Sequence, residues 1–282
     1  LSEPSIWAGG LLLHKQYVLP FAPMNTLQKL LDAEHYRQYV SVDTILRQLL
    51  LPSPRRVALD ADVANMNYDL CRSLGELQEK VDADATGDPI FAYTQPQNIH
   101  VATIAREAAT ILDAGGYAGF NAPYASRVRR LDRCFGAFVD HLKRTGRYEH
   151  SVVVLTSDHG DSLGEDGRWG HAYTIFPEVV RVPLIIHVPP ALRARLSATT
   201  ADPAFLTDLT PTLYELLGHT PTPGGELMGR RLVWPSTEAS PPRAADALIV
   251  SSYGSVYGRL SDVGRRLYII DGINFEEYAY DL

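Results

Sequence analysis

Apolar residues along this chain fall into two spacings, and the changes between them mark the elements. Leu27, Leu30 and Leu31 recur at threes and fours behind Asn25 and Thr26, either of which can cap a helix. A second helical pattern covers roughly Val42–Leu50, and a third runs through residues 63–82. Pro89–Thr94 is a short apolar run, read as a buried strand, that ends in the turn-like Gln95–Asn98. The best helix follows, with Val128, Leu131, Phe135, Phe138, Val139 and Leu142 on one stripe and Gly146 placed to cap its end. Ser151–Thr156 is continuous and β-branched, the pattern of a central parallel strand covered on both faces. Pro183–Val188 predicts another strand. Thr210-Pro211 starts a helix with Pro at its first position, and Gly218 closes it. Leu248–Ser252 and Leu267–Asp271 predict strands of a later antiparallel section, and Leu19–Pro23 reads as a loop.

Strands alternating with helices through the middle of the chain argue for an α/β sandwich with a mostly parallel central sheet and a C-terminal antiparallel section. At 282 residues the expected organisation is one domain over residues 1–282, with an α/β core at 1–235 and a β section at 236–282. Charge narrows the partners. Twenty-six basic against 33 acidic residues leave a net charge of −7, without a Lys/Arg block, which speaks against a nucleic-acid-wrapping surface. No apolar run approaches the roughly 20 residues of a membrane span. Cys71 and Cys134 are the only cysteines, in unrelated contexts, so a disulfide scaffold or a thiolate zinc site is not expected.

The chemistry-bearing segment is Thr156-Ser157-Asp158-His159-Gly160-Asp161, directly after the Val-rich strand. Ligands collect at the carboxyl ends of strands in open α/β sheets. Asp158 and His159 there offer one carboxylate oxygen and one imidazole to a divalent cation, and Gly160 lets the backbone turn away. The blander reading is a turn with a helix cap. Gly170-His171 follows after a polar loop long enough to return a second imidazole to the same place. His100, a short turn beyond Pro89–Thr94, is a further candidate, set against the usual structural or exposed histidine.

These segments in order resemble the sulfatase family of the alkaline phosphatase superfamily. Its pattern has a strand ending in T-S-D-[NH]-G, then a Gly-His or Lys, then a stretch similar to Glu178–Val188 (EVVRVPLIIHV). Asn25–Tyr36 resembles the family's T-L-x-x-x-L-x-x-x-G-Y helix, with Glu34-His35 where Gly is usual. Phe91–His100, Asp208–Gly218, Gly229–Leu232 and Tyr278–Leu282 are similar to further family elements. The resemblance implies an alkaline phosphatase/sulfatase-like sandwich and a hydrolase acting on sulfuric or phosphoric ester bonds. It makes Asp158 and His159 metal ligands. It places His171 against the transferred sulfate or phosphate, or on a second metal, and gives His100 the substrate and leaving oxygen. The divalent metal is Ca, Mn, Zn or Mg; imidazole favours Zn or Mn, while Ca prefers oxygen shells.

The chain also departs from the pattern. Nothing corresponds to the acidic metal ligands of the family's first strand or to its Cys/Ser/Thr nucleophile motif; Ser2 or Ser5 stands at about the right distance before Asn25–Tyr36, but without the motif's Arg. The expectation is an N-terminally truncated catalytic domain that by itself binds metal weakly and turns over little. Compartment stays open, with export or an upstream anchor both compatible. Two other functions compete with sulfate-ester hydrolysis: a phosphotransferase or phosphodiesterase of the same superfamily, and a non-catalytic scaffold.

Overall fold

A computed structural model describes residues 2–10, 25–100, 122–251 and 253–282. The loop expected at Leu19–Pro23 lies outside them. The chain divides into two compact units interleaved in sequence, one of residues 31–150 and 163–170, the other of 1–30, 151–162 and 171–282.

The unit of residues 31–150 carries the parallel sheet. Strand β1 (Arg37–Ser41) lies between β2 (Arg56–Leu59) and β3 (Ile90–Tyr93), parallel to both, in the order β2-β1-β3. As the middle strand, β1 buries Gln38, Tyr39, Val40 and Ser41 almost completely. Helix α4 (Leu70–Asp82) starts at Asp69, whose carboxylate accepts the Arg72 N–H at 3.1 Å. Its stripe of Leu70, Leu74, Leu77 and Val81 packs with Tyr39 and Leu59 of the sheet and with Phe135 and Phe138 of α5 (Ala122–Arg144). Helix α5 is the element that the sequence periodicity predicts, and Gly146 beyond its end adopts the left-handed φ of 69° expected of a cap.

Cys71 of α4 and Cys134 of α5 form a disulfide, with Cα atoms 5.1 Å apart. This corrects the expectation of no disulfide. Two packed helices bring together residues 63 positions apart in sequence, and each cysteine borders its helix's apolar stripe. The β3 strand also differs from expectation. It pairs with β1 and, as a sheet edge, leaves Ile90 36% exposed rather than buried. The helix expected over Val42–Leu50 narrows to α3 (Leu46–Leu49), and the pattern at 63–82 splits into a 3-10 turn at Asn65–Asn67 and α4.

In the other unit, helix α1 (Ser2–Ala8) packs on α8 (Leu209–Leu216) and the 3-10 turn before it, with Thr210 Oγ1 donating to the Ile6 carbonyl. Helix α2 (Leu27–Ala33), along which the chain passes from this unit into the first, begins at Thr26, whose hydroxyl accepts the Lys29 N–H at 3.2 Å. Strand β4 (Val153–Thr156) pairs antiparallel with β7 (Leu184–His187), not parallel as the apolar run implied. Such a run reports low polarity on both faces and carries no information about the neighbour's direction; here Val154 and Ile185 remain 37% and 62% exposed. Helix α8 starts at Leu209, which puts Pro211 third rather than first. The C-terminal section is a four-stranded antiparallel sheet in the order β10-β11-β12-β13, built from β10 (Ala247–Val250), β11 (Val256–Ser261), β12 (Arg266–Asp271) and β13 (Glu276–Asp281). Buried and exposed residues alternate along β11 and β12. Val256, Leu260, Leu267 and Ile269 form a core with Ile175 and Phe176. The fold is thus mixed α/β, with a parallel sheet and a C-terminal antiparallel sheet.

Candidate metal and ester site

The site grows out of the end of β4. Thr156 Oγ1 donates to the Pro183 carbonyl at 2.8 Å, which holds the strand end against the start of β7. The backbone then folds back on itself, with Ser157 Oγ donating to the His159 carbonyl at 2.5 Å. Gly160 N–H donates to the Val179 carbonyl at 2.8 Å. This ties the turn to the short helix α6 (Pro177–Val180). A Cβ at position 160 would lie 2.0 Å from the Glu178 carbonyl oxygen, so the approach is open to glycine alone. Ser162 Oγ donates to Glu178 Oε1 at 2.7 Å and closes the same contact from the side-chain direction.

Four side chains meet on this turn. His159 Nδ1 lies 3.0 Å from the Gly160 carbonyl, to which it donates, and in the neutral ring this leaves the lone pair on Nε2. That Nε2 is 3.4 Å from Asp158 Oδ2. The His171 ring lies 3.9 Å from the His159 ring, tilted by 32° to it. Its Nδ1 lies 2.7 Å from Asp161 Oδ1. One potential ligand atom from each of His159, Asp161 and His171 lies within 4.8 Å of the other two. Just beyond His171, Tyr173 adopts a φ of 67°, a strained conformation for an aromatic residue, with its exposed ring 5.2 Å from that of Tyr253.

Of the residues singled out in the sequence, Asp158, His159 and His171 come together. His100 follows β3 in the other unit, its N–H on the Gln97 carbonyl at 3.2 Å. Ser2 and Ser5 lie in α1, where Ser5 is buried. Sequence reasoning missed Asp161. The signal was present: an acid two residues past His159 in a turn that a glycine bends sharply lands on the same side as its neighbours.

The sulfatase family model matches residues 60–219, which is more than half of the chain and includes this turn. The chain belongs to the sulfatase family. Among curated relatives, it is 30% identical over 102 residues to N-acetylglucosamine-6-O-sulfatase of Bacteroides thetaiotaomicron, a match covering 36% of this chain and 18% of that protein. It is 37% identical over 95 residues to choline-sulfatase of Rhizobium meliloti, covering 34% of this chain and 18% of the relative. The matched segments therefore span less than a fifth of each of these proteins. A phosphonate monoester hydrolase from Silicibacter pomeroyi superposes with a TM-score of 0.63 at 16% identity, over 99% of this chain and 79% of its own. A 2-O GAG sulfatase superposes with a TM-score of 0.64 at 16% identity, over 99% and 74%. At these identities the superpositions establish that this sulfatase-family chain has the alkaline phosphatase/sulfatase fold.

Proposed function

We propose that the protein is a metal-dependent hydrolase of sulfate esters, with the end of β4 as its metal and ester site. The observation that carries this reading is the convergence of Asp158, His159, Asp161 and His171 on one glycine-pinned turn within a chain of the sulfatase family. The donor chemistry fits a divalent cation. His159 already gives its Nδ1 proton to a backbone carbonyl, the usual arrangement for an imidazole that binds metal through Nε2. Asp158 Oδ2 at 3.4 Å from that nitrogen matches the edge of about 3.3 Å between two ligands bound at roughly 2.0–2.2 Å. Asp158 and His159 would hold the cation, and Mn or Zn suits this oxygen–nitrogen pair better than Ca or Mg. When bound, the cation polarises an oxygen of the ester. His171 adds an imidazole beside it to meet the transferred group.

A second reading, phosphoester or phosphonate hydrolysis, draws support from the phosphonate monoester hydrolases among proteins of the same fold and from the imidazole in the ligand set. The test is turnover by the full-length protein, stripped with EDTA and reloaded with Mn, Zn, Ca or Mg. Substrates are 4-nitrophenyl sulfate, a 4-nitrophenyl phosphodiester and a phenylphosphonate monoester. Sulfate hydrolysis that returns only with metal, and falls at least 100-fold in D158A and H159A, is the expected result. Turnover of the phosphorus esters alone would favour the second reading, and none with any substrate the scaffold.

A further inference from the structure

Asp161 has a role that ligation by Asp158 and His159 leaves unused. Its side chain is only 8% exposed, whereas that of Asp158 is 49% exposed. A carboxylate so withdrawn from water needs a donor, and His171 Nδ1 stands at 2.7 Å. A carboxylate has no proton to give, so the proton in this bond sits on Nδ1, and in the neutral ring the lone pair is then on Nε2. The His159 ring lies against the His171 ring, and Thr174 anchors the backbone of the same residue by placing its N–H, at 3.4 Å, and its hydroxyl, at 3.3 Å, on the His171 carbonyl.

We propose that Asp161 is a positioning residue, holding His171 in the Nδ1–H tautomer and in one orientation, so that Nε2 is the nitrogen presented to the ester. The arrangement is that of an imidazole oriented by a buried acid behind it, in which the acid works through the ring and never touches substrate. It deepens the reading of His171 given above and rests on it. Asp161 is therefore not the cation's ligand, even though its carboxylate lies near His159. Its oxygen is engaged by His171, while the more exposed Asp158 lies beside the lone pair of His159.

The experiment uses full-length protein labelled with 15N at histidine, without metal, at a pH where His171 is neutral; an H171Q variant assigns the signals. In the wild type, the ring-nitrogen shifts of His171 should report a protonated Nδ1 and an unprotonated Nε2. The isosteric D161N keeps the packing volume but turns an amide N–H toward Nδ1. It should move the proton to Nε2 and lower kcat about 10–100-fold, with KM changed less than about threefold. D161E should restore the wild-type tautomer and much of the turnover. His171 keeping the Nδ1–H tautomer in D161N would overturn the proposal. So would loss of Mn affinity in D161N as large as in D158A, which would make Asp161 a ligand. Undiminished turnover by H171A is a separate failure, that of the site reading itself, and is told apart because it leaves the tautomer shift intact.

Discussion

A methyl group on Gly160 would occupy nearly the same space as the Glu178 carbonyl oxygen, 2.0 Å away, so the G160A variant must separate the turn from α6 or distort both. Overpacking of this kind costs roughly 1–3 kcal/mol. The expected outcome is a lower melting temperature together with loss of metal binding, since the proposed ligands Asp158 and His159 both ride on that turn. An unchanged metal affinity by calorimetry would show that the turn is not what holds the ligands. Elsewhere, Asp84 sits in a network of donors that favours its ionised form. The Thr86 hydroxyl and N–H, the Tyr39 hydroxyl and Arg37 hold its pKa down to about 2, against the small opposing effect of burial. Its folded value lies below the unfolded one of about 3.9, so its stabilising contribution is complete above that range and disappears as pH falls toward the folded pKa. D84N should therefore melt a few degrees below wild type at neutral pH, with the two curves converging in acid. A gap that persists undiminished through acid would refute the assignment. His35 takes a left-handed φ of 59°, a conformation that glycine adopts most readily.

At the scale of elements, the Cys71–Cys134 bridge ties α4 to α5 beside the packed Leu74, Leu77, Phe135 and Phe138. Closing a loop of this length typically stabilises by about 2–4 kcal/mol. Reduction, or the C71S/C134S pair, should lower the thermal midpoint while leaving the helical signal of the folded protein unchanged, because the apolar contact between the helices remains. Two free thiols titratable in denaturant without reductant would contradict the bridge. The elements divide instructively in how far they can be read from sequence. Helix α5 was legible because six apolar residues keep one phase over four turns, and the α8 boundary because Gly218 ends it in a left-handed conformation. Strands β1 and β2 were not: Arg37-Gln38 and Arg56 open them with polar residues, and four or five positions are too few to establish a period. The partner of β4 was hidden for another reason, since pairing direction is decided by elements far away in sequence. In the site, Asp158, His159 and His171 were legible through their motif, whereas Asp161 emerged only with the turn's geometry.

For the whole molecule, a net charge of −7 repels an anionic ester at long range, so attraction must come from the site itself. Under the proposed function, a cation held by Asp158 and His159, with the imidazole of His171 beside it, would supply that local positive field. Among the described residues, no helix is long and apolar enough to cross a membrane. The cross-link has one more effect, on the connectivity of the backbone. With Cys71 joined to Cys134, the polypeptide is no longer a simple line but a closed ring with a tail at each end. One peptide bond broken inside the ring opens it and releases nothing, while the same break in either tail sheds a fragment unless folding retains it.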